Sequence, residues 1–250
     1  MSYSIALSGK GGAGKTTIAA LVVGRLRALG LGAVFAVDAD PNSNLPDQLG
    51  VPSPVTVGDM REQLLRERDA LPAGMSKADW IGLRLAEILV ESRGFDLLSM
   101  GRPEGSGCYC YVNSLLREYL DARAKAYPWV VIDNEAGMEH LSRRTTRDVD
   151  VLLVVTDPTP VAVTAAVRIA ELGRALPLRI GRIAFLMNRA EGETLPAVRR
   201  LTDTGLPVLG TVPLDPEVAA RSRDGRPLLD IAEDAPACRA VAAILDGLRG

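Results

Sequence analysis

Short apolar runs alternate along this chain with longer stretches whose apolar residues recur at helical spacing. The runs, rich in Val, Ile and Leu, occupy residues 3–8, 33–37, 95–99, 129–132, 151–155, 182–187 and 207–211. A strand covered on both faces reads as a nearly continuous apolar run, so these segments predict buried strands. Between them, Thr16 to Leu29, Lys77 to Ser92, Val112 to Lys125 and Val161 to Leu176 carry amphipathic helical patterns. Strands alternating with helices, joined by right-handed crossovers, predict an α/β fold: a doubly wound, mainly parallel sheet of about seven or eight strands flanked by helices. With 47% apolar residues in 250, the chain can bury one sizeable core, and a single domain over residues 1–250 is expected. Pro52–Pro54 and Pro72–Gly74 read as surface turns.

Sheets of this kind bind ligands beyond the carboxyl ends of their strands. The first strand leads into Ser8-Gly-Lys-Gly-Gly-Ala-Gly-Lys-Thr-Thr17, the second into Asp38-Ala-Asp-Pro-Asn-Ser-Asn44 and the fourth into Asp133-Asn-Glu-Ala-Gly137. Gly9 to Thr16 fits G-x-x-x-x-G-K-T between a predicted strand and a predicted helix, the context of a P-loop. Gly11, Gly12, Ala13, Gly14, Lys15, Thr16 and Thr17 then surround the phosphates of ATP or ADP with backbone N–H groups and a helix N-terminus. Lys15 is expected at the β- and γ-phosphates, and Thr16 at Mg²⁺. Gly9, Gly11 and Gly14 also satisfy G-x-G-x-x-G, with Asp38 where a dinucleotide fold keeps its ribose-binding acid. That reading leaves Lys15-Thr16 without a use, and equally the strand Trp129-Val-Val-Ile132 ending in Asp133. The nucleoside triphosphate reading is therefore the stronger.

Charge changes the choice of partners. Lys plus Arg number 29 against 31 Asp plus Glu, a net charge of -2, so no electrostatic case exists for nucleic acid. The N-terminus has no leader pattern, no uncharged run is long enough for a membrane span, and three cysteines are too few for a disulfide framework. The closing stretch Val241 to Arg249 lacks the basic residues of a membrane-surface helix. A cytoplasmic protein without a membrane partner is expected.

Lys10 inside the glycine loop makes it resemble the deviant Walker A motif, K-G-G-x-G-K-T, of the MinD/ParA/nitrogenase-iron-protein class of ATPases. The resemblance implies a homodimer in which Lys10 reaches the partner's nucleotide. It also implies that Asp40 orients or activates the attacking water, with Asn42 and Asn44 assisting, while Asp38 supports the Mg²⁺ shell. Asp133 matches the Walker B aspartate, Gly137 the switch glycine at the γ-phosphate, and Asn188, Pro213 and Asp215 the residues flanking adenine.

Two of the three cysteines, Cys108 and Cys110, stand one residue apart behind Gly105 and Gly107. In extended chain, side chains two apart point to the same side, so both thiolates could meet one soft metal ion, with Ni²⁺ and Zn²⁺ equally admissible. Two thiolates under-coordinate such an ion, whereas a two-fold axis between two chains would supply four. Cys238, in the last amphipathic stretch, reads as a small packing residue. Taken with Asp133-Asn-Glu-Ala-Gly-Met-Glu-His-Leu-Ser-Arg-Arg144, the C-x-C resembles the CooC group, ATPases that mature nickel enzymes such as carbon monoxide dehydrogenase. This implies a client nickel enzyme and an ATP- or metal-promoted dimer. His140, the only histidine, reads as a packing or capping residue, and Arg143, Arg144 and Arg147 as a solvated face. The competing expectation is a nucleotide-switched positioning or partition ATPase in which the cysteines are incidental.

Overall fold

The computed structural model describes residues 2–66, 74–102, 118–135, 148–175, 178–191 and 194–249. Its strands are β1 (Tyr3–Gly9), β2 (Val34–Ala39), β3 (Val90–Ser92), β4 (Phe95–Ser99), β5 (Trp129–Asn134), β6 (Asp148–Thr156), β7 (Arg179–Ala190) and β8 (Val208–Pro213). They form one sheet in the order β3-β4-β2-β5-β1-β6-β7-β8. Every pairing is parallel except β3 with β4. All seven expected strands are present, and the fold is the doubly wound α/β arrangement that the pattern implied.

The helices are α1 (Lys15–Ala28), α2 (Leu45–Leu49), α3 (Val57–Arg66), α4 (Lys77–Glu87), α5 (described over residues 118–124), α6 (Pro160–Ala175), α7 (Leu195–Thr202), α8 (Pro216–Asp224) and α9 (Pro236–Arg249). The alternation of strand side chains divides the core into two layers. Ile5, Leu7, Val34, Ala36, Val131, Leu153 and Leu186 face α1 and α9. Ala6, Phe35, Val37, Val130, Leu152 and Phe185 face the other way, toward residues of α3, α4 and α6. Helix α1 is lodged between the sheet and α9, which explains why Ile18, Ala19, Leu21, Val22, Val23 and Leu26 are buried around most of its circumference.

One expected element is divided. The helical pattern of residues 77–92 ends at Ile88, and Val90–Ser92 becomes a short antiparallel edge strand on Phe95–Leu97. The cause is local: the two residues Arg93-Gly94 close a hairpin, with Gly94 at φ 87°, a conformation that glycine adopts without steric cost. Of the expected helix 112–125, residues 118–124 are helical, and 112–117 lie outside the described residues. No helix among the described residues is long and apolar enough to cross a membrane.

Candidate functional site

Parallel pairing brings the ends of β1, β2 and β5 together. Asp38 on β2 stands opposite Asp133 on β5, and Asp133 is also in register with Leu7 on β1. Both carboxyl groups are buried beneath the glycine loop that leaves β1. Asp38 accepts hydrogen bonds from the N–H groups of Asp40 (3.1 Å) and Leu45 (2.9 Å), which ties the loop after β2 to the sheet. Burial, then the neighbouring Asp133, push its pKa up to about 7 against those two N–H donors. Asp133 is also pushed up to about 7, by burial first; the Thr16 hydroxyl and the Lys15 ammonium pull the other way. Both oxygens of Asp133 lack a hydrogen bond of normal geometry.

The loop Gly9–Thr16 takes its shape from glycine. Gly14 has φ 89°, a conformation that other residues adopt only with strain, and a Cβ there would lie 2.2 Å from the Asn188 side-chain nitrogen and force it to shift. The helix that follows has no side-chain cap and no acidic residue in its first turn. Its leading N–H groups are thus free of side-chain acceptors, as an anion site at a helix N-terminus requires. Lys15 is buried, while Lys10 is exposed and its carbonyl accepts from Ala13 N–H at 3.1 Å.

A cleft of about 600 Å³ opens over these groups, lined by Gly12, Gly14 to Thr17, Asp40, Asn42, Asn44, Asn188, Arg189 and the Pro213–Asp215 segment. Four segments separated in sequence therefore share one cavity of small-molecule size. Asp40 is half-buried, and its carboxylate accepts from both the backbone N–H (2.8 Å) and the side-chain amide (3.0 Å) of Asn42. Asn188 donates its amide to the Ala13 carbonyl at 2.9 Å. Gly137, Cys108, Cys110 and His140 lie outside the described residues, as do Arg143, Arg144 and Arg147.

Asp215 lines the cleft, but its carboxylate is engaged by the backbone. One oxygen caps α8 by accepting from the N–H groups of Glu217 and Val218, and the other accepts from Ala237 N–H at the start of α9, at 3.0 Å. Asp215→Ala removes a helix cap and leaves a buried N–H unpaired. Together these should cost about 2–4 kcal/mol, read as a lower urea midpoint at unchanged slope. A loss within about 0.5 kcal/mol, as at an ordinary surface position, would refute this scaffold role.

Two further groups at the site were not read from the sequence. Asn134 donates to the Leu7 carbonyl at 2.8 Å, clipping β5 to β1 beside the acids. Arg189 donates to the Gly12 carbonyl. Neither has a sequence signal: Asn134 depends on where β1 places the Leu7 carbonyl, and Arg189 on the backbone irregularity at the end of β7. Cys238 is half-buried against the α1–α9 core, and burial raises its thiol pKa, as expected of a packing residue.

The donor set fits Mg²⁺ with a nucleotide. A buried carboxylate with unpaired oxygens, beside the Thr16 hydroxyl and two further aspartates, is costly until a cation offsets it. With Mg²⁺ bound, that charge would draw electron density from the phosphate oxygens. Lys15, the leading N–H groups of α1 and the Asp40 carboxylate line the same cleft, where they would position a phosphate and its attacking group. Positioning of this kind supplies most of the catalysis in phosphoryl transfer.

Known proteins share the family and the fold. Residues 4–228 match the family model described as CbiA, the CobQ/CobB/MinD/ParA nucleotide binding domain. An uncharacterised ATP-binding protein of Methanocaldococcus jannaschii is 46% identical over 233 residues, 92% of each chain. The carbon monoxide dehydrogenase accessory protein CooC of Rhodospirillum rubrum is 33% identical over 260 residues, 94% of this chain and 91% of its own. Among solved structures, the MinD cell division protein of Aquifex aeolicus matches 100% of this chain and 97% of its own, with a TM-score of 0.70 at 23% identity. MinD of Pyrococcus horikoshii, solved with Mg-ADP, matches 100% of this chain and 98% of its own, with a TM-score of 0.68 at 21% identity. The chain belongs to the CobQ/CobB/MinD/ParA nucleotide-binding family and is a P-loop ATPase.

Proposed function

We propose that this ATPase is a single-domain nickel metallochaperone that matures carbon monoxide dehydrogenase or a related nickel enzyme. The observation that carries the reading is the Cys108-Tyr-Cys110 sequence in a chain 33% identical, along nearly its whole length, to a carbon monoxide dehydrogenase accessory protein. Two thiolates per chain make half of a four-coordinate soft-metal site, so the site is completed by a second copy. Its metal is cargo, Ni²⁺ or Zn²⁺ by ligand chemistry and Ni²⁺ by the client.

In this reading ATP sits on Gly11 to Thr17, with Lys15 at the β- and γ-phosphates and Thr16 and Asp38 serving Mg²⁺. Asp133 serves the same ion, Asp40 aligns the attacking water, and the Gly137 N–H meets the γ-phosphate. Asn188, Pro213 and Asp215 flank the base. The placement of all but Gly137 around or beneath one cleft supports these roles. Lys10, exposed in the glycine loop, crosses to the partner's nucleotide. ATP then favours a closed dimer, and hydrolysis changes metal affinity or client docking.

The test is activation of nickel-free carbon monoxide dehydrogenase by the full chain with Ni²⁺ and Mg-ATP. The wild type should confer CO-oxidising activity, and the Cys108→Ser/Cys110→Ser variant should confer none. Equal activation by the variant, or activation without ATP, contradicts the proposal. ATP-dependent retention on DNA or anionic vesicles, with no activation, would favour a positioning ATPase.

A further inference from the structure

The end of β7 breaks the rule that successive strand residues face opposite ways. Leu186 packs in the layer that contains Ala13 of the P-loop, and Met187 packs in the opposite layer. Asn188 returns to the first side and donates its amide to the Ala13 carbonyl at 2.9 Å. Strict alternation would send Arg189 to the far side. Instead Arg189 adopts φ 52°, and the pairing of β7 with β8 slips between Met187 and Ala190. The irregularity directs two consecutive side chains to the same loop: the Arg189 guanidinium donates to the Gly12 carbonyl. A non-glycine residue in the left-handed region is uncommon and persists where its surroundings hold it.

The guanidinium is itself steadied. It lies 3.8 Å from the carboxylate of Asp157, the residue that follows β6, whose other oxygen accepts from Thr159 N–H at 2.9 Å. In a trans peptide the carbonyl and the following N–H point in opposite directions. Holding the Gly12 carbonyl toward Arg189 thus turns Ala13 N–H back to the Lys10 carbonyl, the 3.1 Å bond that closes the loop. Holding the Ala13 carbonyl toward Asn188 turns Gly14 N–H to the other side of the loop.

We propose that Arg189 is a positioning residue of the ATPase reaction. With Asn188 it forms a two-point clamp on the Gly12 and Ala13 carbonyls, which closes the loop through Ala13 N–H and sets the orientation of the Gly14 amide before nucleotide arrives. The inference rests on the family's ATPase activity and is independent of the nickel reading.

The experiment is steady-state hydrolysis of Mg-ATP by Arg189→Ala, Arg189→Gly and Arg189→Lys, with the thermal midpoint of each nucleotide-free protein. Alanine and glycine should raise KM for ATP about tenfold or more, the scale of one charge-assisted hydrogen bond, with a smaller change in kcat. Glycine relieves the positive φ, so its midpoint should match or exceed that of alanine while its KM stays high. Lysine, able to place one donor on the Gly12 carbonyl, should recover part of the loss. Wild-type KM and kcat in the alanine and glycine variants overturn the proposal, whether or not their midpoints fall. A loss confined to kcat also overturns it, since the group would then act on the transition state rather than on the resting loop.

Discussion

Asp40→Asn is expected to cut ATP turnover by about a hundredfold or more, the usual contribution of a positioned general base, while ATP still binds. The carboxylate is half-buried, lines the cleft and is oriented by two hydrogen bonds from Asn42. Asparagine keeps the shape and one oxygen to accept from the Asn42 N–H, so the loop geometry should survive. What it removes is the negative charge and the capacity to take a proton. Single-turnover hydrolysis, with nucleotide affinity measured by equilibrium binding, separates the two effects. A variant that hydrolyses ATP at the full rate would remove Asp40 from the role assigned to it. Loss of binding together with turnover would instead make Asp40 a ligand-holding group.

Asp133→Asn should act in opposite directions on the empty and the loaded protein. With no ligand, burial of the wild-type carboxyl pushes its pKa up to about 7, far above that of an unfolded aspartate. Between the unfolded value near 4 and about 7, the native state binds more protons than the unfolded state. Stability gained from protonation is therefore present at low pH and lost as pH rises through that window. At pH 8 the neutral amide removes a buried charge, which should stabilise the nucleotide-free protein by about 1–3 kcal/mol, several degrees at roughly 2–4 °C per kcal/mol. The pH slope should become shallower but not vanish, because Asp38 is raised in the same way. The gain in thermal midpoint on adding Mg-ATP should largely disappear. A variant with wild-type midpoints in both states would show that the carboxylate carries neither the strain nor the cation.

The nucleotide site was legible in the sequence because its chemistry restricts residue type. A tight anion-binding loop needs glycine at Gly14, and acids at the ends of neighbouring parallel strands converge once the strand order is known. The edge strand β3 was hidden because Ile88 and Leu89 continue a helical pattern, and only Gly94 marks the hairpin. Arg189 was invisible for another reason: its direction comes from a backbone irregularity, not from its spacing. Asp215 was legible as a residue of the cleft, yet its three backbone donors come from α8 and α9, whose mutual approach is a property of the packed fold.

The central claim, that two chains share one metal through Cys108 and Cys110, is tested most directly by anaerobic Ni²⁺ titration of the reduced protein. Thiolate charge-transfer absorbance and dimerisation are followed together, for the wild type and for Cys108→Ser/Cys110→Ser. The account expects one metal per two chains, with binding and metal-promoted dimerisation both lost in the double variant. Equal, negligible binding by the two proteins would contradict it and leave a nucleotide-switched ATPase whose cysteines have no part in its work.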